Sequence, residues 1–187
     1  MFELERGSFE YIKKKKKKHM SSMLLQILAG VIIFVIGLLL NKYDKANICT
    51  VVAILMVLPA AKHLVEFIVM FPYKSVTRER YDKVMELAGE NAVVMTDMVI
   101  TSPEKVMNLD FVIITDNQVL GLIGKKDQDA GYIEKYLKDS LRNNGLEEFT
   151  VKIFEDEDKF IKCIPERSYE STKLQEECFL YVRTLVV

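Results

Sequence analysis

Residues 23–40 read Met-Leu-Leu-Gln-Ile-Leu-Ala-Gly-Val-Ile-Ile-Phe-Val-Ile-Gly-Leu-Leu-Leu, and Gln26 is the one polar side chain among them. An α-helix needs about 20 such residues to cross the hydrocarbon core of a bilayer. A lone segment in that core must satisfy its own backbone hydrogen bonds, which only a helix does. The run is long for the apolar region of a secretory signal, and no small-x-small cleavage site follows it. We therefore predict a membrane-spanning helix that is not removed.

A second apolar segment follows at about residues 48–67, after a short polar connection. It is uncharged up to Ala61, and Lys62, His63 and Glu66 form an intramembrane polar cluster near its end. Such groups often mark an ion or proton path. However, Lys62 lies about 9 Å from the predicted cytoplasmic edge, within reach of its long side chain, and can pair with Glu66 one turn away. We expect the structural role and keep the ion path as the alternative.

Positive charge is distributed unevenly around the two apolar segments. Six consecutive lysines precede the first segment, several Lys and Arg follow the second, and the connection holds only Lys42 and Lys45. The positive-inside rule then places both termini in the cytoplasm, as in a multi-pass protein of the plasma membrane. The same lysines are suited to bind anionic lipid headgroups. They are Lys13, Lys14, Lys15, Lys16, Lys17 and Lys18.

The chain divides into a polybasic N-terminus at 1–20, a two-helix membrane hairpin at 21–71 and a cytosolic α/β domain at 72–187. Apolar periodicity and turn residues in the last part predict a central mixed sheet with flanking helices, in the order α-β-β-β-α-β-β-α. The expected strands are 92–100, 109–115, 118–124, 149–154 and 159–164, and the acidic residues 155–158 are the expected turn between the last two. The expected helices are 73–88, 131–144 and one after 171 that leads into a short strand.

Charge and composition exclude several functions for residues 72–187. They carry 16 Lys and Arg against 22 Asp and Glu, and so acidic a domain is not expected to bind nucleic acid. Neither histidine, His19 or His63, belongs to it, which excludes a histidine-dependent active site. The three cysteines are odd in number and form no Cys-x-x-Cys, so we expect reduced thiols. No pattern predicts a cofactor or a bound metal.

One pair of residues in the predicted sheet suggests a family. Asp110 lies at the predicted start of the second strand, and Lys125 follows the third. This placement, with the order helix, three strands, helix and strand, resembles the restriction-endonuclease-like superfamily and its nuclease-related NERD-type domains. The resemblance implies an Asp that binds Mg²⁺ and a Lys that assists the nucleophile. The family's Glu position falls on Ile123, so we expect a degenerate domain without the second carboxylate.

Two functions are consistent with these patterns. The favoured one is a membrane-anchored interaction or scaffold domain without catalytic activity, which binds an unidentified protein partner or a second copy of itself. The alternative is a membrane-tethered, degenerate nuclease-like domain that binds nucleic acid or metal through Asp110 and Lys125. A basic surface around Arg78, Lys105, Lys125 and Lys126 would favour the alternative, and a smooth acidic face would favour the first function.

Overall fold

The computed structural model describes residues 5–42, 44–89, 91–125, 127–165 and 172–187. It contains two compact units. A helical unit comprises Lys13–Pro72, and an α/β unit combines the residues up to Ile12 with Tyr73–Val187. Residues 5–12 therefore belong to the α/β unit, although they were predicted to lie in a separate N-terminal segment at 1–20.

The helical unit contains the two apolar segments. Helix α1 covers Tyr11–Leu40, and helices α2 and α3 cover Ile48–Leu55 and Val57–Met70. The break at Met56 lies one turn before Pro59, which lacks the N–H that would bond to the carbonyl of Leu55. The 30-residue α1 and the 23-residue stretch that joins α2 to α3 are long and apolar enough to cross a membrane. Few residues in these apolar stretches are buried, 11% in the first and 6% in the second, unlike those of a core helix in a globular protein.

Two glycines let the helices of this unit approach each other closely. A methyl group added to Gly30 would lie 3.4 Å from Cβ of Met56, and one added to Gly37 would collide with Cβ of Cys49. Gly30 and Gly37 lie seven residues apart and therefore on one face of α1. Because Gly30 faces Met56 while Gly37 faces Cys49, the two segments run antiparallel.

The α/β unit is built on one four-stranded mixed sheet with helices on both faces. The elements are α4 Arg78–Ala88, β1 Val93–Thr101, β2 Val106–Ile114, β3 Gln118–Ile123, α5 Ala130–Arg142, β4 Thr150–Phe154, α6 Glu157–Cys163 and α7 Lys173–Thr184. The strand order is β1-β2-β3-β4; the first three strands are antiparallel, and β4 is parallel to β3 after the α5 crossover. The predicted mixed sheet with helices is confirmed, although two of its details are not.

The first detail concerns residues 159–164, where the predicted strand is wrong. Residues 159–163 belong to helix α6 and Ile164 is its C-cap, and the acidic run before them is the N-terminus of the helix instead of a turn. The side chain of Asp156 accepts a hydrogen bond from the backbone N–H of Lys159 at 3.0 Å, which caps the helix. Phe160 and Ile164, four residues apart, are both buried, as the helical period requires.

The second detail concerns the ends of elements. Helix α4 begins at Arg78, five residues later than expected, and β2 begins at Val106, so Asp110 lies inside this strand instead of at its start. The tail after α7 forms only an isolated bridge between Ile100 and Val186.

Both faces of the sheet are covered, which explains the continuous apolar character of β2 and β3. Helices α5 and α7 pack on one face, where Leu109 and Leu137 are buried. Helices α4 and α6 supply Val84 and Phe160 to the other face, against Phe111.

The outer edge of β1 is covered by the two ends of the chain. The N–H of Thr96 donates to the carbonyl of Gly7 at 2.8 Å, and the N–H of Val187 donates to Val99 at 2.9 Å. The buried Tyr11 donates its hydroxyl to the carbonyl of Val187 at 2.8 Å. An open strand edge would otherwise be available for pairing with other chains.

Candidate functional site

Asp110 lies within an ion-pair network that joins three elements of the α/β unit. Its Oδ2 atom lies 2.6 Å from Nη1 of Arg80 on α4, and Nε of the same arginine lies 2.9 Å from Oε2 of Glu157 in the first turn of α6. The guanidinium also lies 5.5 Å from the ring centroid of Phe111. We call Arg80, Asp110 and Glu157 the arginine triad.

The electrostatics of this triad follow from burial and pairing. Burial raises the pKa of Asp110, the Arg80 guanidinium acts to lower it, and the charge of Glu157 raises it further. Burial acts to lower the pKa of Arg80, but the hydrogen bond and charge of Asp110, helped by Glu157, raise it overall. The arginine is therefore a permanent cation that compensates two carboxylates.

The other residues of the family resemblance lie apart from this carboxylate. Lys125 is exposed in the turn after β3, and Ile123 pairs with Leu109. Among the residues that the structure describes, the cation that binds Asp110 is Arg80. Lys126, next to Lys125, lies outside the described residues.

Gly124 is required beside Asp110 for steric reasons. A methyl group at this glycine would collide with Oδ1 of Asp110 and with Oδ1 of Asn108. The N–H of Gly124 donates to the carbonyl of Asn108 at 3.1 Å, which brings its backbone against the two polar side chains. The carboxylate of Asp110 is thus bordered by the backbone of Gly124 and by Arg80.

Asp97 is a second buried carboxylate, which sequence reasoning missed. It has φ +55° and stands opposite Asp110, between the paired positions of β1 and β2. Its side chain accepts hydrogen bonds from the backbone N–H of Val76 at 2.8 Å and of Ile12 at 3.4 Å. Burial raises its pKa, and hydrogen bonds from Ser75, Val76 and Ile12 act in the opposite direction. In the sequence, Asp97 could have been recognised as a carboxylate inside a mostly apolar strand.

The helical unit contains a cluster that includes both histidines of the chain. Nδ1 of His19 lies 3.1 Å from Nδ1 of His63 and 2.7 Å from Oε2 of Glu66. Nδ1 of His63 lies 3.4 Å from the same carboxylate oxygen. We call these three residues the His-His-Glu cluster. The predicted polar cluster thus keeps His63 and Glu66, gains His19, and leaves Lys62 exposed.

The position of His19 in this cluster follows from the antiparallel packing of the two helices, which no local sequence pattern indicates. In an antiparallel pair of helices, residue numbers that face each other have a nearly constant sum, and Gly30 with Met56 sets that sum. The same sum places His19 opposite the turn that holds His63 and Glu66. Hydropathy alone does not show this, because His19 precedes the apolar run.

The six lysines occupy the first turns of α1. The Nζ atom of Lys16 donates to the carbonyl of Phe71 at 2.9 Å and lies 5.7 Å from the centroid of its ring. A cation at this place stabilises the C-terminus of α3. Lys13, Lys14 and Lys17 are exposed, and Lys15 and Lys18 are partly buried.

Comparison with known proteins adds no family to this geometry. Neither a protein-family model nor a curated protein nor a solved structure matches the chain.

Proposed function

We propose that this protein is a membrane-anchored interaction domain without catalytic activity, held at the cytoplasmic face of the plasma membrane by its two apolar helices. The observation that carries the proposal is the arginine triad. In this triad, Arg80 binds the carboxylate of Asp110, the residue of the sheet for which the sequence suggested catalysis.

The membrane anchor is supported by the exposed apolar surfaces of the two helices, which have no other apolar environment among the residues that the structure describes. The orientation is supported by the lysines that flank the two segments, with both termini on the cytoplasmic side. Lys13 and Lys17, exposed at the start of α1, would then lie where anionic lipid headgroups attract them, with about 1 kcal/mol per residue.

The absence of catalysis is supported by charge and geometry together. A nuclease-like site needs a carboxylate free to bind a divalent metal. Here the carboxylate of Asp110 is paired with a guanidinium and only 13% of its side chain is exposed. A metal ion at Oδ2 would have to displace Arg80 and leave that cation without Asp110.

The surface for a protein partner, or for a second copy of the chain, is supported by exposed apolar side chains on helices of the α/β unit. Met85 and Leu87 on α4 are 39% and 43% exposed, and Leu180 on α7 is 45% exposed.

A photo-activated cross-linking residue placed at Leu87 in the full chain tests this proposal in native membranes. We expect a discrete adduct of constant mass, either with one partner protein or with a second copy. The matched control is Lys138, which is exposed on α5. Equal, diffuse labelling from both positions would contradict a specific interaction surface at α4.

The second candidate is the membrane-tethered, degenerate nuclease-like domain. It is favoured by the order α4-β1-β2-β3-α5-β4, which is the order on which the resemblance rests, and by the location of Asp110 on β2. Its test is cleavage of DNA or RNA by the purified chain with Mg²⁺ or Mn²⁺. Cleavage that Asp110→Ala abolishes would establish this candidate and refute the non-catalytic one. We expect no cleavage.

A further inference from the structure

The His-His-Glu cluster brings three side chains with metal-binding atoms to one point between two helices. His19 comes from α1, and His63 and Glu66 come from one face of α3, three residues apart. Two imidazoles and one carboxylate form one of the ligand sets that hold Zn²⁺ in proteins.

The distances between these atoms fit a tetrahedral ion. Zn²⁺ binds imidazole nitrogen and carboxylate oxygen at about 2.0–2.1 Å, so two ligands at the tetrahedral angle lie about 3.3 Å apart. The three distances in the cluster are 2.7, 3.1 and 3.4 Å. An ion placed between the atoms therefore reaches all three of them with shifts of a few tenths of an ångström.

Hydrogen bonding alone satisfies this arrangement poorly. A neutral imidazole has one N–H and one lone pair. If both Nδ1 atoms carried hydrogens toward Glu66, those hydrogens would face each other across the 3.1 Å gap between His19 and His63. If one ring donated to the other, that hydrogen would be diverted from the carboxylate. A cation accepts the lone pairs of both nitrogens and of the carboxylate oxygen at once.

We propose that His19, His63 and Glu66 form a transition-metal site suited to Zn²⁺, with one coordination position left for water or a small anion. This inference is independent of the proposed interaction function. Imidazole also binds Cu²⁺, Ni²⁺ and Co²⁺. Which of these metals the site holds depends on its tetrahedral geometry, which suits Zn²⁺, and on which metal is available.

The site would join the two apolar segments at one end of the helical unit. His19 is buried, and the side chains of His63 and Glu66 are 25% and 36% exposed, so the cluster is sheltered but accessible to an ion. The hydrogen bond from Lys16 to Phe71 already connects α1 with the end of α3. A bound ion would add a second link, and loss of the ion would loosen the pair of helices.

The experiment uses the full chain purified in detergent with an affinity tag that contains no histidine, since the chain itself has only two. Zn²⁺ affinity is measured by competition with a chromophoric chelator, and Co²⁺ is used as a spectroscopic substitute. The variants are His19→Asn and Glu66→Gln, and the matched control is Lys62→Gln, next to His63 but not part of the cluster.

We expect one Zn²⁺ per chain and the strong visible absorption of four-coordinate Co²⁺. Changes in residues that merely support a ligand reduce metal affinity about 10–100-fold, so loss of a ligand in either variant should cost more than about 100-fold. Lys62→Gln should bind Zn²⁺ with the affinity of the natural chain. The helical content of all three variants, measured by circular dichroism, should be unchanged. The proposal would be overturned by a Zn²⁺ affinity that does not change in His19→Asn and Glu66→Gln, by one ion shared between two chains, or by no binding at all.

Discussion

The replacement Arg80→Met tests the arginine triad, because it removes the cation and keeps most of the apolar stem. Two carboxylates then lose their common partner, and 13% of the Asp110 side chain and 34% of the Glu157 side chain are exposed. Breaking a fully buried pair costs about 3–5 kcal/mol, and partial exposure of Glu157 and Arg80 reduces this. We expect the free energy of unfolding of the α/β unit to fall by about 2–3 kcal/mol.

The matched control is Arg78→Met on the same helix. Arg78 pairs with Asp82 at 3.0 Å, but 70% and 55% of these side chains are exposed, so the loss should be about 0.3–0.5 kcal/mol. Urea unfolding can be followed by tyrosine fluorescence, since the chain has no tryptophan and only Tyr43 of its tyrosines lies in Lys13–Pro72. Equal losses for the two arginines would refute the compensating role of Arg80.

Three further substitutions have expected outcomes in the same urea assay. Burial raises the pKa of Asp97, so its neutral form favours the fold below about pH 4, and that contribution is lost as pH rises through the raised pKa. The free energy of unfolding of Asp97→Asn should therefore increase relative to that of the natural chain as pH rises through the raised pKa of Asp97. A difference between the two proteins that stays constant with pH would contradict the burial effect. Ile12→Ala should cost about 2–5 kcal/mol because this side chain is fully buried, whereas the exposed Met20→Ala should cost less than about 0.5 kcal/mol. Gly124→Ala should cost about 1–3 kcal/mol through its collision with Asp110, and a neutral result would show that the side chain moves aside.

Local sequence pattern predicted the elements that carry long apolar runs. The two membrane-length helices, the β2–β3 hairpin and α5 lie close to their expected positions, because each is fixed by its own periodicity and by turn residues at its ends. Helix α6 was misread since its seven residues are too few to separate the helical period from the strand period. The acidic run before it was taken for a turn, although Asp156 acts there as a helix cap.

Contacts between distant residues were not predictable in this way. Tyr11 bonds to Val187, 176 positions away, and nothing in the residues around Tyr11 indicates that the N-terminal segment covers the edge of β1. The partners of Asp110 in the arginine triad and of Glu66 in the His-His-Glu cluster could not be predicted either. Asp110 and Glu66 were recognisable as acidic residues in apolar surroundings, whereas Arg80 and His19 lie in other helices and are placed beside them only by tertiary packing.

The orientation of the chain in the membrane is tested most directly by labelling thiols in intact cells with a reagent that does not cross the membrane. Ala46→Cys, combined with Cys49→Ala, places a thiol at an exposed position between the two apolar helices, while the native Cys163 is exposed in the α/β unit. Burial raises the pKa of the Cys178 thiol to about 12, so this third cysteine stays unreactive. We expect the thiol at position 46 to react in intact cells and Cys163 to react only after the membrane is permeabilised. Labelling of Cys163 in intact cells, with position 46 protected, would contradict a cytoplasmic domain.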